Sequence, residues 1–318
     1  MNESNSIKNG ERSKAKVFTT IIKSIIVIAS VLYFAYYLKG SIGRFPSIDW
    51  NVKTALIFSV CFFLYCINMI IAGLNWSLLL NEYGDFLSPF NAIRISLLTQ
   101  FGKYLPGNVG HHLGRLYMAA KHGVPKFVSL QTIFYETLIL TGTGFFVSFL
   151  GFLLSKERSF SMRIEIIPIL LLLGIILFPF FVPLVNRMRI PLLLKITGGN
   201  PLKAPKIYAL VFVVFFDLLT FLISGLLLSL IINFAFHVPA NDILFLTYVF
   251  ASSWIIGYLL PGAPAGLGVR DAALATGLGL QFDPGIALAT TISFRIIATA
   301  GDGFFFLITL VTMKKSET

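Results

Sequence analysis

Hydrophobic positions along this chain fall into long runs separated by short polar segments. A helix needs about 20 mostly apolar residues to cross the hydrocarbon core of a bilayer. Runs of that length cover residues 17–38, 53–80, 127–154, 164–186, 207–236 and 284–312, which predicts six spanning helices. Two more regions, 88–124 and 243–281, are each long enough for two short helices, but Pro and Gly interrupt them. Non-helical backbone at membrane depth is tolerated only where protein or a watery cavity satisfies its amides. Each region is therefore expected to be a re-entrant hairpin or a broken crossing helix.

The two interrupted regions match one another. The stretch "GKYLPGNVGHHLGRLYMAAKH" (102–122) aligns with "GYLLPGAPAGLGVRDAALATG" (257–277) at a constant offset of 155 residues. Pro106-Gly107 meets Pro261-Gly262, and Arg115 meets Arg270. The same shift carries 53–80 onto 207–236 and 127–154 onto 284–312, so the order of elements repeats as well. The expected fold is an all-α polytopic membrane protein with six full spans, two Pro/Gly-broken re-entrant hairpins and an inverted internal repeat. Its divisions are a cytoplasmic basic tail (1–16), repeat 1 (17–155, hairpin 88–124), repeat 2 (156–312, hairpin 243–281) and a cytoplasmic tail (313–318). Inverted repeats of this kind occur in transporters, with the working site where the broken segments meet.

Composition agrees with a membrane location. The 318 residues are 56% hydrophobic and 12% charged, against about 25% charged in a typical soluble domain. With both termini cytoplasmic, the inside segments carry 16 Lys and Arg and the outside segments 7. That asymmetry follows the positive-inside rule, and the basic excess requires no nucleic acid. The first run, 17–38, is too long for a signal-peptide core and lacks a small-residue cleavage site, so it reads as a retained helix. Cys61 and Cys66 lie within one apolar run and read as buried thiols.

Candidate chemistry centres on charges at membrane depth. Arg115 and Arg270 each follow their Pro-Gly break by nine residues. A buried arginine costs about 2.5–3.5 kcal/mol on insertion scales and normally has an anionic partner. A phosphate suits its planar fork, and half-helix N-termini add N–H groups. Lys103, Gly107 and Gly262 complete the candidate phosphate set. The competing possibility is that the arginines pair with carboxylates, Arg270 with Asp271 or Glu136, and staple the hairpins. Glu136 and Arg295 fall on helices matched by the repeat and are expected to pair, with Asp302 on the same face as Arg295. The pair would be a latch or a coupling element. Asp217 is also intramembrane and is expected to carry a proton unless a cation reaches it. His111 and His112 are candidate headgroup contacts. Zinc usually needs three or four ligands at defined spacing, and no such set is present, so neither metal nor cofactor is expected.

At these residues the chain resembles the flippase-like membrane domain of the lysylphosphatidylglycerol synthases. The resemblance rests on "GKYLPGNVGHHLGRLYM", "LLPGAPAGLGVRDAAL", Glu136 in "FYETL" and Arg295 in "SFRII", and spans roughly residues 17–312. Three features depart from the family pattern. His111-His112 stand where small residues are common, Asp271 stands where glutamate is usual, and Thr137 stands where an arginine is frequent. No counterpart of the soluble aminoacyl-transferase domain follows the last span, so the expectation is a stand-alone member that does not itself make aminoacyl lipid. The resemblance implies translocation of a lipid headgroup. The expected function is flipping of an anionic phospholipid or a polyprenyl-phosphate-linked sugar across the inner (cytoplasmic) membrane. No phosphate-binding G-x-x-x-x-G-K-[ST] motif is present, so a gradient or downhill flow would drive it. The alternatives are a secondary transporter of a small soluble anion and a non-transporting subunit of a glycan- or lipid-modifying assembly. An enzyme is not expected, because no nucleophile–base pair emerges.

Overall fold

Nine α-helices account for most of the described residues of the computed structural model, which are 46, 48, 50–104, 109–154, 166–191, 199–259, 264–266 and 268–314. They are α1 (Val52–Asn81), α2 (Pro89–Gln100), α3 (Gly110–Lys121), α4 (Lys126–Leu154), α5 (Ile166–Arg187), α6 (Ile207–Leu230), α7 (Ile243–Leu259), α8 (Val269–Leu278) and α9 (Pro284–Lys314). No strand occurs among the described residues. Among the described residues four helices are long and apolar enough to cross a membrane: α1, α4, α6 with its π-helical extension to Ala235, and α9. The described part of the predicted run 164–186 is helical from Ile166, as α5. The predicted first span 17–38, the basic tail 1–16 and residues 315–318 lie outside the described residues.

Both interrupted regions form a helix, a break and a second helix. In the first, α2 runs into a 3-10 turn at Phe101–Tyr104 before α3; in the second, α7 is followed by a 3-10 turn at Pro264–Gly266 before α8. At 1.5 Å per residue, the 12-residue α2 and α3 each reach about 18 Å, well short of a bilayer core of about 30 Å. The paired helices lie against each other in both regions, and the two 3-10 turns also touch. Local sequence sets these starts. Ser88 accepts the Asn91 N–H at 3.3 Å with Pro89 at the first helical position, and Asp242 accepts the Phe245 N–H at 2.9 Å.

Glycines permit the close packing on which helix association in lipid depends, because lipid offers no hydrophobic drive between helices. Helix α7 packs against α4, α6 and α8. Each of these neighbours presents glycine to it: Gly151 on α4 to Tyr248, Gly225 on α6 to Thr247, and Gly277 on α8 to Val249. A Cβ at Gly225 would lie 2.1 Å from the Thr247 hydroxyl and 2.8 Å from its backbone nitrogen. Gly225→Ala is expected to cost about 1–3 kcal/mol by overpacking, read as a lower thermal midpoint in detergent.

Three apolar clusters complete the frame. The largest joins α1, α6, α7, α8 and α9 through Cys61, Phe221, Leu228, Phe250, Leu274 and Phe294. A second, built on Trp76, Ile95, Ala119 and Ile133, fixes the first hairpin to α1 and α4. The third binds α1, α4 and α6 through Leu79, Tyr135, Ile139 and Val213.

Candidate functional site

A cavity of about 230 Å³ opens where the two hairpins converge on α1, α4, α6 and α9. Four cations line it: Lys103 and Arg115 from the first hairpin, Arg270 from the second, and Arg295 from α9. Three have carboxylate partners. The Arg115 guanidinium donates to Glu136 in a tight buried pair, Lys103 Nζ lies 2.7 Å from Asp302 Oδ2, and Arg295 Nη1 lies 3.5 Å from Asp271 Oδ1. Four cations against three carboxylates leave the described cavity one positive charge in excess.

Arg270 carries that excess. It has neither a carboxylate nor a hydrogen-bond partner among the described residues. Its guanidinium lies 4.9 Å from the Phe250 ring centroid and 5.5 Å from that of Phe294. Aromatic faces attract a desolvated cation by about 2 kcal/mol, without using up its N–H donors on an acid. The stem threads between two glycines. A Cβ on Gly257 or Gly266 would come within 2.6 or 3.0 Å of the Arg270 Cβ.

The backbone around this arginine is unusual. Ala265 adopts φ 49°, a left-handed conformation that a residue with a Cβ seldom takes. Its carbonyl accepts from Arg295 Nη1 at 3.2 Å. Asp271 accepts the Gly268 N–H at 3.2 Å while facing Arg295, so one carboxylate both caps α8 and holds α9.

Asp302 is the most fully satisfied charge. Tyr65 donates to it at 2.9 Å, Tyr104 at 2.7 Å, and Lys103 completes the shell. This network ties α1, the first break and α9 together with no exposure at Asp302.

The expected pairing of Glu136 with Arg295 is corrected here. Glu136 pairs with Arg115, and Arg295 pairs with Asp271. The physical reason is proximity: α3 packs on α4, and α8 packs on α9. Asp302, expected on the same helix face as Arg295 and as part of a charge network, holds Lys103, one of the candidate phosphate ligands. Arg270 pairs with neither Asp271 nor Glu136. His111 and His112 both line the cavity with ring centroids 3.8 Å apart, closer than neighbours on a helix usually sit, and each leaves a buried Nδ1 without a partner. Gly107 and Gly262 lie outside the described residues. No group of three His, Cys, Asp or Glu among the described residues is arranged to hold a metal.

Sequence reasoning overlooked the aromatic wall. Tyr65, Tyr104, Trp254 and Tyr258 line the cavity, and the last two stack at 4.9 Å with 7° between their planes. Tyr104 sits inside the "GKYLPG" motif and was legible there. Tyr65, Trp254 and Tyr258 are indistinguishable in sequence from lipid-facing aromatics.

Apolar helices of crossing length, two helix–break–helix segments and a cation-lined cavity define a helical membrane protein. The chain belongs to the family described as the lysylphosphatidylglycerol synthase TM region, whose model matches residues 21–302. Membership ties the protein to membrane lipid in a flippase-like role. No curated protein and no solved structure matches the chain.

Proposed function

We propose that this protein moves an anionic lipid, a phospholipid or a polyprenyl-phosphate-linked sugar, between the leaflets of the cytoplasmic membrane. The observation that carries this is Arg270, the cation left over at the cavity where the hairpins meet. A lipid phosphate supplies the charge it lacks and accepts from a planar fork held against two rings. Arg115 closes on the phosphate from the first hairpin, exchanging Glu136 for it. His111 and His112 offer headgroup hydrogen bonds. Lys103 and Asp302 hold the first break in place, and Arg295 and Asp271 do the same for the second. Six spans, re-entrant hairpins entering from opposite faces, and halves at 17–155 and 156–312 would let the halves rock around this site.

The test is leaflet transfer in proteoliposomes of labelled phosphatidylglycerol against labelled phosphatidylcholine and a soluble phosphate ester. Transfer of the anionic lipid well above both supports the reading. Uptake of the soluble ester without lipid transfer indicates a soluble-anion transporter instead. Movement of neither refutes transport.

A further inference from the structure

Asp217 on α6 lies away from the cavity and is only 4% exposed. Val213 and Val214, one turn before it, belong to the apolar cluster that joins α6 to α1 and α4. No cation pairs with it among the described residues. Its one hydrogen bond comes from Asn75 on α1, whose Nδ2 donates to Asp217 Oδ1 at 2.7 Å. Asn75 is 2% exposed. Each side chain leaves one oxygen buried without a partner, Oδ2 on Asp217 and Oδ1 on Asn75. Both oxygens are acceptors, so as they stand they cannot satisfy one another.

A single proton resolves both vacancies. Placed on Oδ2, it turns that oxygen into a donor, the type of partner Asn75 Oδ1 lacks, on the same two side chains that Nδ2 and Oδ1 already join. It also removes a charge that burial without a counter-ion strongly disfavours. Two oxygens are too few for a calcium ion, which takes 6–8 oxygen ligands. We propose that Asp217 and Asn75 form a proton-binding site at the α1–α6 seam.

The seam is placed to couple. Asn68 lies seven residues before Asn75 and donates to Ser224 Oγ at 3.2 Å, seven residues after Asp217, so polar bonds run along the α1–α6 contact. The titratable groups described on helices packed against α6 are Lys53, Cys61, Tyr65 and Cys66 on α1, Lys126, Tyr135 and Glu136 on α4, Arg187 on α5, Tyr248 and Tyr258 on α7, and Arg295 and Asp302 on α9. Among them Glu136 is the acid that lines the cavity, and its charge is balanced by Arg115. When a phosphate draws Arg115 away, the field of Glu136 is no longer cancelled, and it opposes ionisation of Asp217. Phosphate capture and proton retention therefore reinforce each other, and by linkage the reverse holds. Resting on the proposed lipid transfer, the two ligands move in the same direction, and lipid collects in the leaflet facing the alkaline side.

Two measurements on the full chain test this. Infrared spectroscopy of purified protein at neutral pH should show a protonated-carboxyl C=O band that Asp217→Asn removes. The amide introduced by that change preserves the shape and complements Asn75. Asn75→Leu should keep the band but move it to higher frequency, where a free acid absorbs. A wild-type band unaffected by either change overturns the site, whatever the transport result. In proteoliposomes carrying labelled phosphatidylglycerol, a pH step of one unit should shift the steady-state leaflet ratio up to about tenfold, since one proton carries that factor per unit. Asp217→Asn should retain downhill transfer with a ratio of one. A variant ratio that still follows the pH step overturns the coupling, as does a wild-type ratio set by sodium and indifferent to pH. If wild-type protein moves no lipid at all, the lipid reading fails while the infrared result still decides the site.

Discussion

Replacing Arg270 with glutamine should slow leaflet transfer of phosphatidylglycerol by about two orders of magnitude or more and leave thermal stability in detergent nearly unchanged. Loss of one member of a desolvated charge pair typically costs about 2–5 kcal/mol in binding, and the pair in question forms only when the phosphate is present. In the resting protein Arg270 forms no ion pair among the described residues, and the nearby acids Asp271 and Asp302 keep their own partners, Arg295 and Lys103, when it is removed. The shorter glutamine fits between Gly257 and Gly266, where only a slender stem passes. Arg270→Lys should recover part of the rate, because an ammonium keeps the charge without the bidentate fork. Unchanged transfer in Arg270→Gln would remove this arginine from the binding site.

Arg115 should behave in the opposite way. Arg115→Met leaves Glu136 buried with no counter-ion, and breaking such a pair costs about 3–5 kcal/mol. The measured outcome is a large fall in thermal midpoint. Adding Glu136→Met should restore most of that loss, since replacing a buried pair with apolar residues of similar volume is often neutral. Transfer separates the two roles left open for the pair. If Arg115 only latches the hairpin to α4, the stable double variant regains transfer. If it also grips phosphate, the double variant is folded and inactive, which is the expected outcome.

Much of this fold was legible from hydrophobic run length, because a bilayer imposes a minimum on every crossing helix. The predicted runs 53–80, 127–154, 207–236 and 284–312 appear as α1, α4, α6 with its π turn, and α9, each close to the expected bounds. The helix–break–helix character of 88–124 and 243–281 was legible too, because proline and glycine act on the chain locally. The pairing of charges was not. Four cations and three carboxylates can combine in many ways, and the expectation joined Glu136 to Arg295 on the strength of matched positions in two halves. Contact between neighbouring elements decided otherwise.

A helical membrane protein with two broken segments, and charges it must reconcile with lipid, could be read directly from the order of residues. Those properties follow from hydropathy, helix-breaking residues and the cost of burying charge, all of which act along the chain. Which charge remains unspent emerged only once the helices were packed. Arg115 and Arg270 occupy equivalent places in their motifs, yet one is matched by Glu136 and the other lies on Phe250 and Phe294. Their difference depends on which helices pack beside them, across separations that no local pattern encodes.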